Sequence, residues 1–181
     1  MKNIGNLALV GTNGSGKSQI CAILVKLGFQ VISLSDIVRL EIESRGLNKD
    51  RDTLVSVAND MKKKHGTSIL AERAVELISS EKVVFDSVRH IDEVMFLKKK
   101  SVFILGVDAP VEMRYERICK RGGDTDRVSY KEFLLHDQRE NDGNSFGQNI
   151  FQCLEQCDRI ITNEGRLVEL ESKLDSLLIG S

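Results

Sequence analysis

Residues 7–20 read LALVGTNGSGKSQI: four apolar residues run into a glycine-rich turn that ends in Gly-Lys-Ser. Gly11 to Ser18 match the pattern G-x-x-x-x-G-K-[S/T] at every fixed position, which chance gives in a chain of this length with a frequency of order 0.5%. A strand-like run precedes the turn and a helix-like run follows it, the setting in which the pattern has a mechanism. Gly11, Asn13, Gly14, Ser15 and Gly16 let successive N–H groups point inward around phosphate oxygens. The helix opening at Lys17, Ser18 and Gln19 turns its positive end toward the same anion. Lys17 is expected at the β- and γ-phosphates and the Ser18 hydroxyl at Mg²⁺. A glycine turn with a solvated lysine is the plain alternative, and it gives no reason for this context. The loop implies a nucleoside triphosphate.

Such a loop calls for a carboxylate on the metal side, at the end of another buried strand. KVVFDSVR supplies Asp86 directly after Val83-Val84-Phe85. Asp86 is expected to hold a Mg²⁺-bound water, with capping of the next helix as the alternative.

Outward from these two points the chain reads as one globular unit, residues 1–181. Hydrophobic residues make up 41% and charged residues 29%, with a formal net charge of -1, so no whole-chain field draws in nucleic acid or an anionic membrane. Aromatics at 5% without tryptophan also argue against a nucleic-acid surface. The four cysteines, Cys21, Cys119, Cys153 and Cys157, form no CxxC pair and are expected to be reduced. MKNIGNLALVG holds an apolar run too short for a signal peptide or a membrane span, so a cytoplasmic location is expected.

Short aliphatic runs recur at NLALV, QVIS, KVVF, SVFILGV and DRIIT. Their near-continuous apolar character suits strands buried on both faces of a parallel sheet. Helical spacing fills the gaps: 17–27, 36–44, 50–64, 67–79, 91–99, 111–121, 129–140, a weaker stretch at 148–156, and 167–178. The alternation predicts an α/β three-layer sandwich. Two segments, 36–80 and 111–157, carry helices without strands and belong at the carboxyl edge of the sheet, where ligands bind.

The guanine-selecting N-K-x-D is missing, no ABC signature is present, and the chain is too short for an AAA+ motor with its helical lid. Arginine placement is the next signal. Asp36 and Arg39 follow the second strand as Asp-x-x-Arg, and Asp86 and Arg89 follow the third in the same spacing. Two arginines from separate strand ends can grip one anionic group. Arg117 and Arg121 fall on one helical face at i, i+4, with Arg114 close by. The alternative is surface pairing with neighbours such as Glu41, Glu112 and Glu140.

These motifs resemble the P-loop kinases of nucleoside monophosphates and dephospho-coenzyme A, above all small adenylate-kinase-related proteins. The G-D-x-x-R of adenylate kinases is matched by Ser35-Asp36-Ile-Val-Arg39, and the shortened D-G-x-R of the related group by Asp86-Ser87-Val88-Arg89. Ser87 stands where that pattern has glycine. RGLNKDRDTLVSVANDMKKKHGTSILAERAVELI resembles the acceptor-binding helices, and DRIITNEGRLVELESKLDSLL the last strand, adenine-side loop and final helix. The resemblance implies a five-stranded parallel sheet in the order 2-3-1-4-5, an acceptor-binding insert at about 36–80 and a short lid at about 121–137. It implies ATP and Mg²⁺, with Arg39 and Arg89 at the acceptor's phosphate. Arg117 and Arg121 would lie over ATP, and Asn163 to Gly165 beside the adenine. Leu34 and the Asp36-to-Arg39 spacing depart from the Asp-Ala-Asp pattern of dephospho-coenzyme A kinases.

The acceptor expected from this is a small nucleotide, a (deoxy)nucleoside monophosphate first. A monophosphate is already an anionic nucleophile. A hydroxyl acceptor, as in a dephospho-coenzyme A or nucleoside kinase, needs a general base, and Asp36 is placed to be one; helix capping is its plain alternative. An ATP-binding switch or scaffold with slow ATPase is the reading from another class. His65, His90 and His136 have no ligand-like spacing and are expected to be exposed or at helix ends. No nucleic-acid or membrane partner is expected, and the sequence leaves the oligomeric state open.

Overall fold

A computed structural model describes residues 5–122, 128–141 and 148–180. The elements run β1 (Asn6–Gly11), α1 (Lys17–Lys26), β2 (Gln30–Ser33), α2 (Leu34–Ser44), α3 (Arg51–His65), α4 (Ile69–Val75) and β3 (Val83–Asp86). They continue with α5 (Ile91–Lys99), β4 (Phe103–Asp108), α6 (Val111–Arg121), α7 (Tyr130–Asn141), α8 (Ile150–Glu155), β5 (Arg159–Thr162) and α9 (Leu167–Gly180). The strands form one five-stranded sheet in the order β2-β3-β1-β4-β5, parallel at every pairing. The expected order and helix-covered sheet are both present.

The unbroken apolar strands have a direct explanation in the packing. In β1, Leu7 and Leu9 face one layer while Ala8 and Val10 face the other. The first layer sets α1 (Ile20, Ile23, Leu24) and α9 (Leu170, Leu174) on the sheet. The second sets α2, α3, α4, α5 and α8 on it through Ile42, Met61, Ala74, Leu97 and Cys153. Trimming a fully buried member such as Leu24 to alanine costs about 2–5 kcal/mol, lost burial plus the cavity left behind.

Differences from the expected elements are at helix ends. α2 begins at Leu34 rather than Asp36, with Ser33 as its N-cap, because the chain turns into helix directly from β2. Asp36 is thus in the first helical turn and is not the cap. α4 stops at Val75 instead of continuing to residue 79. The following segment is held by strand β2, where the Gln30 side chain donates to the Leu77 carbonyl and accepts from the Ser79 N–H. α8 spans only Ile150–Glu155. No helix among the described residues is long and apolar enough to cross a membrane.

Candidate nucleotide and acceptor site

β1 delivers the phosphate loop to the carboxyl edge of the sheet, beside the ends of β3 and β4. Gly14 and Gly16 sit at φ 80 and 107, a region that penalises any residue with a Cβ. Contact adds to this. A Cβ at Gly14 would lie 2.6 Å from the Arg114 carbonyl oxygen, and one at Gly16 would run into the Asn163 side-chain amide. Gly16 caps α1 without a side-chain hydrogen bond, and the Gln19 N–H turns back to the Gly16 carbonyl at 3.0 Å, so no side chain occupies the amino end of the helix. Lys17 Nζ bridges the Gly11 and Thr12 carbonyls at 2.6 and 2.8 Å. The Ser15 hydroxyl is buried without a hydrogen-bond partner. Ser18 and Gln19 are exposed on the first turn of α1, and Asn13 is half-buried.

Thr12, Asn163, Arg117 and Arg114 brace this loop. The Thr12 hydroxyl donates to Asp108 Oδ1 at 2.8 Å, at the end of β4. Asn163 Nδ2 donates to the Ser15 carbonyl at 2.8 Å, and the Asn163 N–H donates to the Asp108 carbonyl at 2.7 Å. Arg117 Nη2 donates to the Asn163 carbonyl at 3.0 Å, while Arg117 Nη1 is buried without a partner. Arg114 is buried; its Nη1 approaches the Asn13 carbonyl at 3.4 Å, and its guanidinium forms a two-pronged pair with Asp137 at 2.6 and 2.8 Å. Asn163 and Arg117 therefore meet at the loop's own back wall. Gly165 lies against the Glu169 carboxylate. Arg121 closes α6 on the exposed side, before the left-handed Gly122.

Asp108 and Thr12 are not picked out by the sequence, and Arg114 only as a basic residue near Arg117 and Arg121. The signal for Asp108 was present, since FILGVD ends in aspartate just as VVFD does. The lid expected at 121–137 lies partly outside the described residues, at 123–127. Its helix α7 packs on α6 through Tyr115 against Tyr130 and Phe133, at ring-centre separations of 5.0 and 5.6 Å.

On the other side of the loop, Asp86 ends β3 and accepts from the Ser87 hydroxyl at 3.1 Å. It caps nothing, because α5 has its own capping box of His90 and Glu93. His90 is accordingly a helix-end residue, buried rather than exposed. Arg39 pairs with Asp36 at 2.5 Å, with both side chains largely exposed, an arrangement of little energetic weight. Glu41 instead takes Arg45 and Arg73, and Arg45 reaches on to Asp60 at 2.7 Å. Those hydrogen bonds, from Arg45 first, hold the Glu41 and Asp60 carboxyls below their ordinary range. They tie α2, α3 and α4 together.

Arg89 is held at three points. Its N–H donates to Glu93 Oε2 at 2.9 Å, its carbonyl accepts from the Asn149 N–H at 3.1 Å, and its guanidinium donates to Gln148 at 3.0 Å. Glu93 in turn pairs with Lys62 of α3 at 3.2 Å in a nearly solvent-free setting. Burial, with Asp86 adding to it and Lys17 opposing, pushes the Cys21 thiol up to about 12.

The donor set suits Mg-ATP. Backbone N–H groups, an ammonium and a buried unpaired hydroxyl fit phosphates. One serine hydroxyl and one carboxylate fit Mg²⁺, which keeps several waters and takes the rest of its oxygens from the nucleotide. Among the described residues no group of three or more His, Cys, Asp or Glu could hold a metal by itself.

A family model described as an AAA domain matches residues 10–132. A UPF0200 protein of Pyrobaculum aerophilum is 36% identical over 179 residues, covering 97% of this chain and 98% of the relative. A second, from Hyperthermus butylicus, is 32% identical over 176 residues, covering 95% and 92%. The chain belongs to the AAA domain family of that model and to the UPF0200 proteins. Among solved structures, a Thermus thermophilus protein superposes with a TM-score of 0.63 at 20% identity, covering 99% of this chain and 98% of the other. Shikimate kinase from Acinetobacter baumannii in complex with shikimate superposes with a TM-score of 0.61 at 17% identity, covering 99% and 95%. The fold is that of the small P-loop kinases.

Proposed function

We propose that this member of the UPF0200 proteins is a Mg²⁺-dependent kinase that moves the γ-phosphoryl group of ATP to a small nucleotide, a (deoxy)nucleoside monophosphate first. The supporting observation is the pair of arginines, Arg39 in the helix that directly follows β2 and Arg89 just past the neighbouring strand β3, beside a complete phosphate loop. A triphosphate bound to the loop alone gives no role to a second cationic site.

In this reading an acceptor phosphate oxygen attacks the γ-phosphorus, the bond to the bridging β–γ oxygen breaks, and ADP leaves with that electron pair. Lys17 leaves the Gly11 and Thr12 carbonyls for the β- and γ-phosphates. Ser18 would hold Mg²⁺ directly and Asp86 through water; the ion, when bound, offsets charge on the phosphates. Arg39 and Arg89 align the acceptor, the latter by exchanging Gln148 for phosphate. Arg117 and Asn163, with Gly165, shape the wall on the nucleoside side, where the unpaired Arg117 Nη1 awaits an acceptor atom. Arg121 approaches from the end of α6. Residues 1–181 act as one domain, with 36–80 as the acceptor insert and 121–137 as the lid, in the cytoplasm and without a nucleic-acid or membrane partner.

A second reading has its own support. Shikimate kinase, whose fold this chain shares, is a kinase solved with shikimate. A hydroxyl acceptor would use Asp36 as base, with the proton going to its carboxylate. The test is ADP release from Mg-ATP against ribo- and deoxynucleoside monophosphates, dephospho-coenzyme A, nucleosides and no acceptor. Stimulation by one monophosphate supports the first reading, and stimulation only by an acceptor that offers a hydroxyl supports the second. A slow rate indifferent to all of them leaves an ATP-binding switch.

A further inference from the structure

Three serine hydroxyls stand in a row between the acceptor side and the metal side. Arg39 Nη1 donates to Ser35 Oγ at 3.0 Å, Ser35 and Ser33 are 2.8 Å apart, Ser33 reaches Ser87 at 3.3 Å, and Ser87 reaches Asp86 Oδ2 at 3.1 Å. Counting protons fixes the direction. A hydroxyl has one proton and a carboxylate has none, so Ser87 donates to Asp86. Ser33 must then donate to Ser87, and Ser35 to Ser33. Ser35 accepts in turn from Arg39, which can only donate. Every bond points at Asp86, and bonds aligned in this way strengthen one another.

The last member sits in an unfavourable backbone conformation. Among the described residues only Ser87 and Ser101 are non-glycines at positive φ, at 63 and 58. Ser101 follows the end of α5, where a left-handed residue is ordinary. Ser87 has no helix end to account for it. It directly follows β3, where glycine would adopt the same backbone without penalty. An observed outlier of this kind is a reason to look for function. What the serine has and a glycine lacks is the hydroxyl on Asp86.

We propose that Ser87 is a positioning residue: its left-handed backbone aims the hydroxyl that fixes the Asp86 carboxylate, with Ser33 and Ser35 polarising that bond from behind. The proposal rests on the reading of Asp86 as the metal-side carboxylate.

The test compares the full-length protein with Ser87→Gly, Ser87→Ala, Ser33→Ala and Asp86→Asn. Two readouts are used: the thermal midpoint without ligand, and ADP binding by calorimetry with and without Mg²⁺. Ser87→Gly is expected to raise the midpoint by about 2–4 °C as the strain is relieved. It should also weaken the Mg²⁺-dependent part of ADP binding about tenfold, the scale of losing a residue that orients a ligand. Metal-free ADP binding should be unchanged. Ser87→Ala keeps the strain, so it should show the same Mg²⁺ loss without the gain in midpoint. Ser33→Ala should show a smaller Mg²⁺ loss, about threefold. A stabilised Ser87→Gly whose Mg²⁺ dependence matches wild type overturns the proposal. If Asp86→Asn weakens Mg²⁺ binding in that same series, the metal reading survives while the role of Ser87 fails. If Asp86→Asn has no effect either, both fail together.

Discussion

Asn163 donates its side-chain amide to the Ser15 carbonyl at 2.8 Å, which bolts the loop after the last strand to the phosphate loop after the first. Both residues are buried. Asn163→Ala leaves that carbonyl without its donor and should cost about 1–3 kcal/mol in stability. Nucleotide affinity should fall with it, because the phosphate loop loses its brace at Ser15. Denaturant melts and ADP titrations on one preparation check both effects.

Arg114 and Asp137 join α6 to α7 in a pair that is 6% and 12% exposed. Removing only Asp137 leaves a guanidinium buried beside the phosphate loop. Asp137→Ala is therefore expected to destabilise by about 3–5 kcal/mol, while the double change Arg114→Met with Asp137→Leu loses less than the sum of the two single changes. A double-mutant cycle by urea unfolding measures this.

The Lys62–Glu93 pair connects α3 to the backbone of Arg89. Glu93→Gln keeps the shape and removes the charge opposite Lys62, which leaves a buried ammonium unpaired. KM for the acceptor should rise while KM for ATP changes little, since Arg89 loses its fixed position and the loop does not. Steady-state kinetics with each substrate varied separately reads the split.

The cysteines give a pH prediction. Burial pushes the Cys21 and Cys157 thiols up to about 12, and the Cys153 thiol is raised still further by burial. Above their unfolded value near 9.0 the unfolded chain releases these protons and the folded chain keeps them. The unfolded state then binds fewer protons, so stability falls as pH rises from about 9 toward 12 and is independent of these thiols below 9. Unfolding midpoints across pH 8–10 follow that slope. Iodoacetamide at neutral pH should label exposed Cys119 far ahead of the other three.

The sheet was legible because each strand is a short apolar run buried on two faces, and the loop because its glycines answer a backbone requirement that few other residues meet. Helix ends were less legible. α2 takes its start from the turn out of β2, and α4 is cut short by hydrogen bonds from Gln30, which is 47 and 49 residues away from its partners. Arg39, Arg89 and Asp86 could be named from local spacing. The residues that brace the site could not, because Lys62 with Glu93, Asn149 with Arg89 and Arg114 with Asp137 meet only through the fold. Ser87 was visible as a serine in a glycine's place, but the Ser33 hydroxyl behind it comes within reach only once β2 and β3 lie side by side.

Phosphoryl transfer to an acceptor held by Arg39 and Arg89 leaves a direct chemical trace. It is tested most directly with ATP labelled at the γ-phosphate, by following label into the best acceptor for wild type and for Arg89→Ala. Label is expected in the acceptor with wild type, with transfer reduced at least about a hundredfold in the variant and ATP affinity within about twofold of wild type. Label released only as inorganic phosphate, at the same slow rate in both proteins whatever acceptor is present, would contradict it.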